Sequence, residues 1–161
     1  FPTRRSSDLS GMVLDYAARE PFWRRNLNYN HGTGHGVGYL GNIHEAPIGF
    51  RWKATRDAMC EIEPGMVITN EPGIYIEGSH GIRIENELLV RAGEKNEYGQ
   101  FLYFEPLTFV PIDLDALRPE LMTEEEKQLL NAYHQSVYEK ISPYLEAEEK
   151  EWLKEYTRPV K

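Results

Sequence analysis

The sequence has a single cysteine, no long apolar run and no excess of basic residues. Cys60 therefore cannot form a disulfide within the chain, and no Asn-x-Ser/Thr site is present, which together favour a reducing, cytoplasmic environment. Apolar runs such as residues 66–69 fall far short of the roughly 20 residues that span a bilayer, so we expect no membrane segment. The net charge of −8, with no basic cluster after residue 25, argues against a nucleic-acid partner.

The N-terminus lacks both an initiating methionine and the apolar core of a signal peptide. Residues 1–9 read FPTRRSSDL, which resembles the conceptual translation of a sequencing adapter. We therefore expect residues 1–9 to be an artefact of sequence assembly. The native reading frame is then expected to continue upstream of Ser10, as part of a longer protein.

Glycine occupies every second position of the stretch His31–Gly38, and His44 follows closely. Each of these glycines would cost about 1 kcal/mol relative to alanine in a helix, so a helix is excluded. Glycine also permits positive φ and close backbone approach, which lets a loop bring imidazoles such as those of His31 and His35 into a crowded polar site. The stretch is predicted to be an irregular or strand-like loop that builds a site.

A formal G-x-G-x-x-G match lies at residues 36–41. The dinucleotide-binding fingerprint requires a buried strand before the glycines and a helix after them. Residues 26–30 are polar and Pro47 follows soon after, so nucleotide binding is not expected.

Carboxylates follow in two further motifs. Residues 66–69 are predicted to form a strand, and the Pro-Gly pair directly after Glu71 places that carboxylate at the strand end. The run at 82–90 begins with strict alternation, which predicts that Arg83 and Glu85 share one face of a strand.

Ser10 is predicted to cap a short helix, with an apolar face that includes Val13 and Tyr16. Pro21 is expected to end this helix close to Arg19, because proline disrupts a helix interior. The first predicted element of the chain is therefore short.

The remaining elements are predicted from local signals. Turn residues favour a loop at 46–57, polar residues favour a connection at 92–100, and two prolines favour an edge strand or bulge at 102–112. A capping box at Thr123 begins a helix, and a second helix follows Pro143.

Each candidate site residue has a plain structural explanation when it is taken alone. A loop histidine can be a hydrogen-bonded structural residue, and Glu71 can be a surface charge. Arg83 and Glu85 can lie on the solvent-exposed face of an antiparallel strand. If the groups are instead buried together, a divalent cation would compensate the carboxylates. A mixed nitrogen and oxygen set suits Mn²⁺, Co²⁺ or Zn²⁺.

Several motifs occur along the chain in a fixed order. They are HGTGHGVG at 31–38, HE at 44–45, EPGM at 63–66, NEPGIY at 70–75 and GIRIEN at 81–86. Together they closely resemble the Xaa-Pro aminopeptidases (aminopeptidase P), which are pita-bread metallopeptidases like prolidase, methionine aminopeptidase and creatinase. The block at 104–112 and the closing helices resemble the C-terminal extension of the longer aminopeptidase P branch.

The resemblance implies an α+β fold. Residues 10–112 would form the C-terminal half of a pita-bread catalytic domain, and residues 113–161 would form a helical C-terminal extension. It also implies two divalent cations, with Mn²⁺ as the expected metal and Co²⁺ or Zn²⁺ as alternatives. The metal ligands that it implies within this chain are His35, Glu71 and Glu85.

The resemblance further implies how the remaining residues act. His31 and His44 match histidines that bind the substrate and stabilise the tetrahedral intermediate, and Arg83 matches an arginine beside the bridging carboxylate. Hydroxide held between two cations would attack the bond before a penultimate proline, and Glu71 would pass its proton to the leaving nitrogen. Peptides with proline in second position are the implied substrates.

One departure from the family pattern is clear. The family completes its site with two aspartates on strands upstream of the glycine loop, and Asp15 does not stand in such a motif. The chain as printed is therefore expected to hold at most one cation weakly and to lack peptidase activity. A prolidase-type dipeptidase and a non-catalytic binding or homodimerisation module remain alternatives, and Trp152 and Tyr156 would face either the core or a partner.

Overall fold

Strands fill the first part of the chain and helices the last, which confirms the α+β prediction. The computed structural model describes residues 9–161 in two compact units, one ending at Thr108 and the other beginning at Phe109. The described part of the first unit contains α1 (Gly11–Trp23), β1 (Gly34–Gly36), β2 (Glu45–Phe50), β3 (Val67–Asn70), β4 (Gly73–Ile76), β5 (His80–Arg83), β6 (Asn86–Asn96) and β7 (Gly99–Pro106). The second unit contains α2 (Glu124–Ile141), α3 (Ala147–Tyr156) and short 3-10 turns at Leu114–Ala116, Pro119–Leu121 and Ser142–Tyr144.

No helix within residues 9–161 combines the length and apolar character needed to cross a membrane. Most of the adapter-like stretch, residues 1–8, lies outside the described residues. Leu9 is 6% exposed, packs in the core and accepts a backbone hydrogen bond from Ile62. The folded unit therefore includes Leu9, one residue before the boundary predicted at Ser10.

The main sheet of the first unit is antiparallel, with strand order β2-β1-β3-β6-β7. Its central strand is β3, where Ile68 pairs with Gly36 of β1 and Leu88 of β6. The buried core residues are Leu9, Ile48, Phe50, Ile62, Ile68, Val90 and Leu102. The strand predicted at 66–69 is confirmed as β3, and its C-terminal end leads directly to Glu71.

The predicted run at 82–90 belongs to two different sheets. β5 ends at Arg83 and pairs only with β4, in a two-stranded hairpin, whereas β6 begins at Asn86 and pairs with β3 and β7. The prediction that Arg83 and Glu85 share a strand face is wrong, because the chain leaves β5 between them. The turn at Gly78, where φ is +71°, reverses the chain so that β5 pairs with β4. The backbone of Arg83 therefore belongs to this hairpin and pairs with Gly73.

Helix α1 differs from its prediction in length and in its buried face. It runs to Trp23 with Pro21 inside the last turn, where proline removes only one hydrogen-bond donor. Val13 and Tyr16 are 56% and 57% exposed, whereas Asp15 and Arg19 are fully buried. The charged residues are buried because their partners come from the loop that follows the helix.

Two segments predicted as loops contain strands. The N-terminal part of the segment at 46–57 belongs to β2, an edge strand, and Pro47 is tolerated there because an edge strand needs hydrogen bonds on one side only. The segment at 92–100 extends the hairpin of β6 and β7, which has exposed side chains and so accepts a polar sequence. The edge position predicted for the strand near residue 102 is confirmed, since β7 closes the sheet.

The helix predicted to begin at the Thr123 capping box is α2, and the second helix, predicted to follow Pro143, is α3, which begins at Ala147. The Thr123 side chain accepts a hydrogen bond from the Glu126 N–H, and the Glu126 carboxylate accepts one from the Thr123 N–H, which completes the capping box. The turn at Ser142–Tyr144 separates α2 from α3. On α2, His134 and Val137 are fully buried.

Candidate active site

Glycines let β1 approach its neighbours more closely than any side chain would permit. A Cβ atom at Gly34 would lie 1.9 Å from the Thr69 carbonyl oxygen, and one at Gly36 would lie 2.3 Å from that of Glu45. Both clashes are with backbone, which cannot move aside as a flexible side chain would. The glycine-rich stretch thus lies where its sequence predicts, in a strand-like loop that places His35 beside the end of β3.

Glu71 is the centre of the site. Its carboxylate oxygens lie 3.0 Å from His35 Nε2 and 3.5 Å from the Arg83 guanidinium, and its side chain is 11% exposed. The Thr69 hydroxyl donates to Glu71 Oε1 at 3.0 Å and accepts from the His35 backbone N–H at 3.0 Å. The fold therefore brings together three of the predicted site residues, from β1, the end of β3 and β5.

The contact between His35 and Glu71 suits a cation. His35 Nδ1 faces the Gly36 carbonyl oxygen at 2.9 Å, so Nδ1 donates, and a ring without a second proton presents the Nε2 lone pair to the carboxylate. Two acceptors facing each other need a proton or a metal ion between them. Their separation is also that of two ligands of one cation, given metal bond lengths of roughly 2.0–2.2 Å.

Glu85 does not join this pair. It is exposed, between the end of β5 and the start of β6. Within residues 9–161, no group of three His, Cys, Asp or Glu side chains is arranged to hold a metal ion. His35 and Glu71 fit a metal as a pair of ligands, but the described residues do not complete its coordination.

The two other predicted histidines contact different neighbours. The His44 ring is exposed, with its centroid 4.2 Å from that of His35. The His31 ring packs between Tyr29 and Tyr75, with centroids 4.9 Å and 5.6 Å away. His31 Nδ1 donates to the Gly32 carbonyl oxygen at 2.7 Å, and its Nε2 is buried with no hydrogen-bond partner among the described residues.

A buried polar network behind His31 was missed at the level of sequence. Arg19 donates to Asp15 at 2.6 Å and to the carbonyl oxygens of Tyr29 and His31 at 2.6 Å and 2.7 Å. The Thr33 hydroxyl donates to the other oxygen of Asp15. Burial raises the pKa of the Tyr29 hydroxyl, which donates to Thr33 at 2.5 Å. The available signal was the spacing of four residues between opposite charges on α1.

Thr69 was also missed as a site residue, although its strand was predicted. It is 3% exposed and contacts both His35 and Glu71 through one hydroxyl. Its position two residues before Glu71, on the strand that leads to that residue, was the available signal.

Comparisons with known proteins show the family to which this chain is similar. Residues 4–92, more than half of the chain, match metallopeptidase family M24, and residues 100–160 match the C-terminal region of peptidase M24. A probable Xaa-Pro aminopeptidase P from Talaromyces marneffei is 45% identical over 94% of this chain and 24% of its own length. Aminopeptidase P2 from Arabidopsis thaliana is 45% identical over 93% of this chain and 21% of its own. The chain thus spans about a quarter of the length of the curated relatives that it matches.

Solved structures give the same result. The crystal structure of X-prolyl aminopeptidase from Caenorhabditis elegans, described as a cytosolic enzyme with a di-nuclear active site, superposes with a TM-score of 0.86 and 36% identity, over 99% of this chain and 26% of that one. Prolidase from Pyrococcus furiosus superposes with a TM-score of 0.50 and 31% identity, over 68% of this chain and 28% of that one. The pita-bread fold is thereby confirmed, and the chain belongs to metallopeptidase family M24.

Proposed function

We propose that this chain is the C-terminal part of a metal-dependent Xaa-Pro aminopeptidase, which releases the N-terminal residue from peptides with proline in second position. The convergence of His35 and Arg83 on the carboxylate of Glu71 carries this proposal. The similarity to the aminopeptidase from C. elegans, which extends over 99% of the chain, supports aminopeptidase P over prolidase, whose similarity covers 68%.

In this proposal, residues 10–112 belong to the catalytic domain and residues 113–161 to its C-terminal extension. His35 and Glu71 would hold a divalent cation together with ligands from outside the described residues. Glu85, which is exposed in this chain, would join the same set in the complete protein, as the family resemblance implies. Mn²⁺ is the proposed metal, and Co²⁺ or Zn²⁺ would suit the same donors. When bound, two such ions supply an activated water and polarise the peptide carbonyl.

The residues of this chain have proposed tasks of their own. Glu71 accepts a proton and delivers it to the leaving proline nitrogen, and the Arg83 guanidinium holds the second oxygen of that carboxylate in place. His31 Nε2 accepts a hydrogen bond from a substrate N–H when the ring is neutral, and donates one to a carbonyl oxygen when it is protonated. His44, beside His35, is exposed and placed to contact the substrate in the same way.

The test is to express the complete reading frame that contains this chain and to assay it with Mn²⁺. We expect cleavage of an Xaa-Pro tripeptide and no cleavage of the matching Xaa-Ala tripeptide. Cleavage restricted to Xaa-Pro dipeptides would identify the prolidase alternative. Absence of cleavage of any of these peptides would favour a non-catalytic binding or homodimerisation module.

The sequence offers a matched control for the role of Glu71. Glu63 also precedes a Pro-Gly pair, but it is exposed and lies before β3. Glu71→Gln is expected to lower kcat at least about a hundredfold, the range for loss of a general acid or base. Glu63→Gln is expected to leave kcat unchanged. Equal kcat values for the two variants would contradict the proposed proton transfer.

The proposed location is the cytoplasm, as for the cytosolic enzyme from C. elegans. The proposed partners are peptide substrates and a second copy of the same protein. Fractionation of cells that express the complete protein tests the location, and sedimentation equilibrium tests the dimer.

A further inference from the structure

The buried ion pair on α1 has no role in the chemistry proposed above. Asp15 and Arg19 lie one helical turn apart, and both side chains are fully buried. A buried pair contributes little net stability, because the cost of removing two charges from water offsets most of their attraction. The contacts that the pair makes elsewhere are therefore informative.

Arg19 holds the backbone immediately before the glycine-rich loop. One terminal nitrogen donates to the Tyr29 carbonyl oxygen and the other to that of His31, at 2.6 Å and 2.7 Å. The guanidinium also lies 3.9 Å from the centroid of the Tyr29 ring. A planar guanidinium can make these contacts at once, whereas a lysine ammonium is a single point of charge. The position of His31 therefore depends on an arginine at residue 19.

Asp15 extends the same network towards Glu71. One of its oxygens accepts from Arg19, and the other accepts from the Thr33 hydroxyl. The backbone carbonyl of Thr33 in turn accepts a hydrogen bond from the Glu71 N–H at 2.7 Å. Thr33 thus links the buried aspartate to the backbone of the central carboxylate.

We propose that Asp15 and Arg19 are positioning residues, which fix the backbone of residues 29–33 and thereby set the positions of His31 and Glu71. The geometric part of this proposal is independent of the proposed function. Its consequence for catalysis rests on that function.

The test is to measure the exchange rates of individual amide hydrogens by NMR, in the complete protein that contains this chain. Arg19→Lys keeps the positive charge beside Asp15 but cannot donate to the carbonyl oxygens of Tyr29 and His31 from two separate nitrogens. Arg24→Lys is the matched control, because Arg24 is an exposed arginine at the end of the same helix. In Arg19→Lys, we expect the Glu71 amide to exchange at least about tenfold faster, the effect of losing hydrogen bonds to a charged group. The Val90 amide, in the core, is expected to exchange at the wild-type rate, and so are both amides in Arg24→Lys.

Unchanged exchange at Glu71 in Arg19→Lys would overturn the proposal. If the Val90 amide is accelerated as well, the double variant Asp15→Val/Arg19→Met decides, because apolar replacement of a buried pair preserves stability in many proteins. The proposal requires wild-type exchange at Val90 and at least about tenfold faster exchange at Glu71 in that variant. Failure of both variants to fold would also overturn it, since the pair would then serve stability and not position.

Kinetics of the complete protein test the catalytic consequence separately. Arg19→Lys is expected to lower kcat/KM for an Xaa-Pro peptide at least about tenfold, as displacement of positioned groups does, and Arg24→Lys is expected to leave it unchanged. If Arg19→Lys shows faster exchange at the Glu71 amide but a wild-type kcat/KM, the consequence for catalysis is wrong while the geometric part of the proposal stands. If the complete protein cleaves no peptide, the proposed function fails, while the exchange measurements still decide the geometric part.

Discussion

The Thr69 hydroxyl donates a hydrogen bond to Glu71 Oε1 at 3.0 Å, from a position two residues earlier in the chain. The same hydroxyl oxygen accepts from the His35 N–H, so one small side chain joins the two central residues of the site. Because Thr69 is almost fully buried, water cannot replace it. The hydroxyl therefore orients the carboxylate and also satisfies a buried backbone donor.

Thr69→Val is expected to destabilise the protein by about 1–3 kcal/mol, because valine has the shape of threonine but leaves both partners unsatisfied. Urea unfolding measures the change in the free energy of unfolding. Thr69→Ser restores the hydroxyl and is the control, expected to recover most of the loss. Equal stability of the valine variant and the wild type would show that the hydroxyl is dispensable.

The glycine at residue 34 is expected to be irreplaceable. Gly34→Ala places a Cβ 1.9 Å from the Thr69 carbonyl oxygen, so β1 and β3 must separate, at a cost of about 3 kcal/mol or more. Gly49 is the matched control: it pairs with His35 in the adjoining strand, but a Cβ there meets its nearest atom only at 3.5 Å.

Thermal unfolding of both variants tests this expectation. Gly49→Ala should change stability by less than about 1 kcal/mol, since an added methyl group at ordinary contact distance causes no strain. A Gly34→Ala variant as stable as Gly49→Ala would mean that the close approach of β1 to β3 is not required.

The sequence predicts the parts of the site that depend on local rules. Glycines at residues 34 and 36 exclude a helix and permit a close approach, and Pro72 prevents a strand from continuing past Glu71, whatever the rest of the chain does. These rules use neighbours in the sequence alone, so they predict the loop that contains His35 and the strand end beside Glu71 without any tertiary contact.

The remaining parts depend on partners that are distant in sequence. Alternation from residue 82 onwards is compatible with one strand or two, and the pairing of β5 with β4 decides that Arg83 faces Glu71 while Glu85 does not. The burial of Arg19 is set by carbonyl oxygens of the loop after α1, which no helical pattern shows. Charged residues are exposed by default, so a buried pair is the hardest feature to predict.

His134 predicts a dependence of stability on pH. Its ring is fully buried on α2, Nε2 accepts from the Ile112 N–H at 3.0 Å, and Nδ1 has no hydrogen-bond partner among the described residues. Burial lowers the pKa of His134 below its ordinary value of about 6.5. At a pH between the lowered pKa of the folded protein and the ordinary pKa, the unfolded chain binds a proton on His134 that the folded chain does not. The free energy of unfolding therefore falls as the pH falls through about 6.5.

His134→Gln keeps a hydrogen-bond acceptor for the Ile112 N–H and removes the titration. Urea unfolding at about pH 7.5 and pH 5.5, on either side of the ordinary pKa, should show a smaller loss in this variant than in the wild type. Comparing the two proteins cancels the contribution of all other titrating groups. Identical losses would contradict the assignment to His134.

Metal content tests the proposed ligands directly. In the complete protein, His35→Ala and Glu85→Ala are each expected to weaken metal binding at least about tenfold, since even residues that only orient a ligand have effects of this size. His80→Ala and Glu77→Ala are matched controls, because both residues are exposed, Glu77 in the turn between β4 and β5 and His80 at the start of β5. Mass spectrometry of the metals in dialysed protein measures the result. Undiminished content in a ligand variant would remove that residue from the site.

The printed chain is expected to be inactive when it is produced by itself. The described residues include no group of three His, Cys, Asp or Glu side chains that could hold a metal ion. A cation held by His35 and Glu71 alone would be neither tightly bound nor fixed in orientation. Titration with Mn²⁺ should therefore show weak binding at most, and an Xaa-Pro tripeptide should remain intact at the rate of the buffer blank. Measurable Xaa-Pro cleavage by the purified chain alone would contradict the expectation, because it would require a complete metal site within these residues.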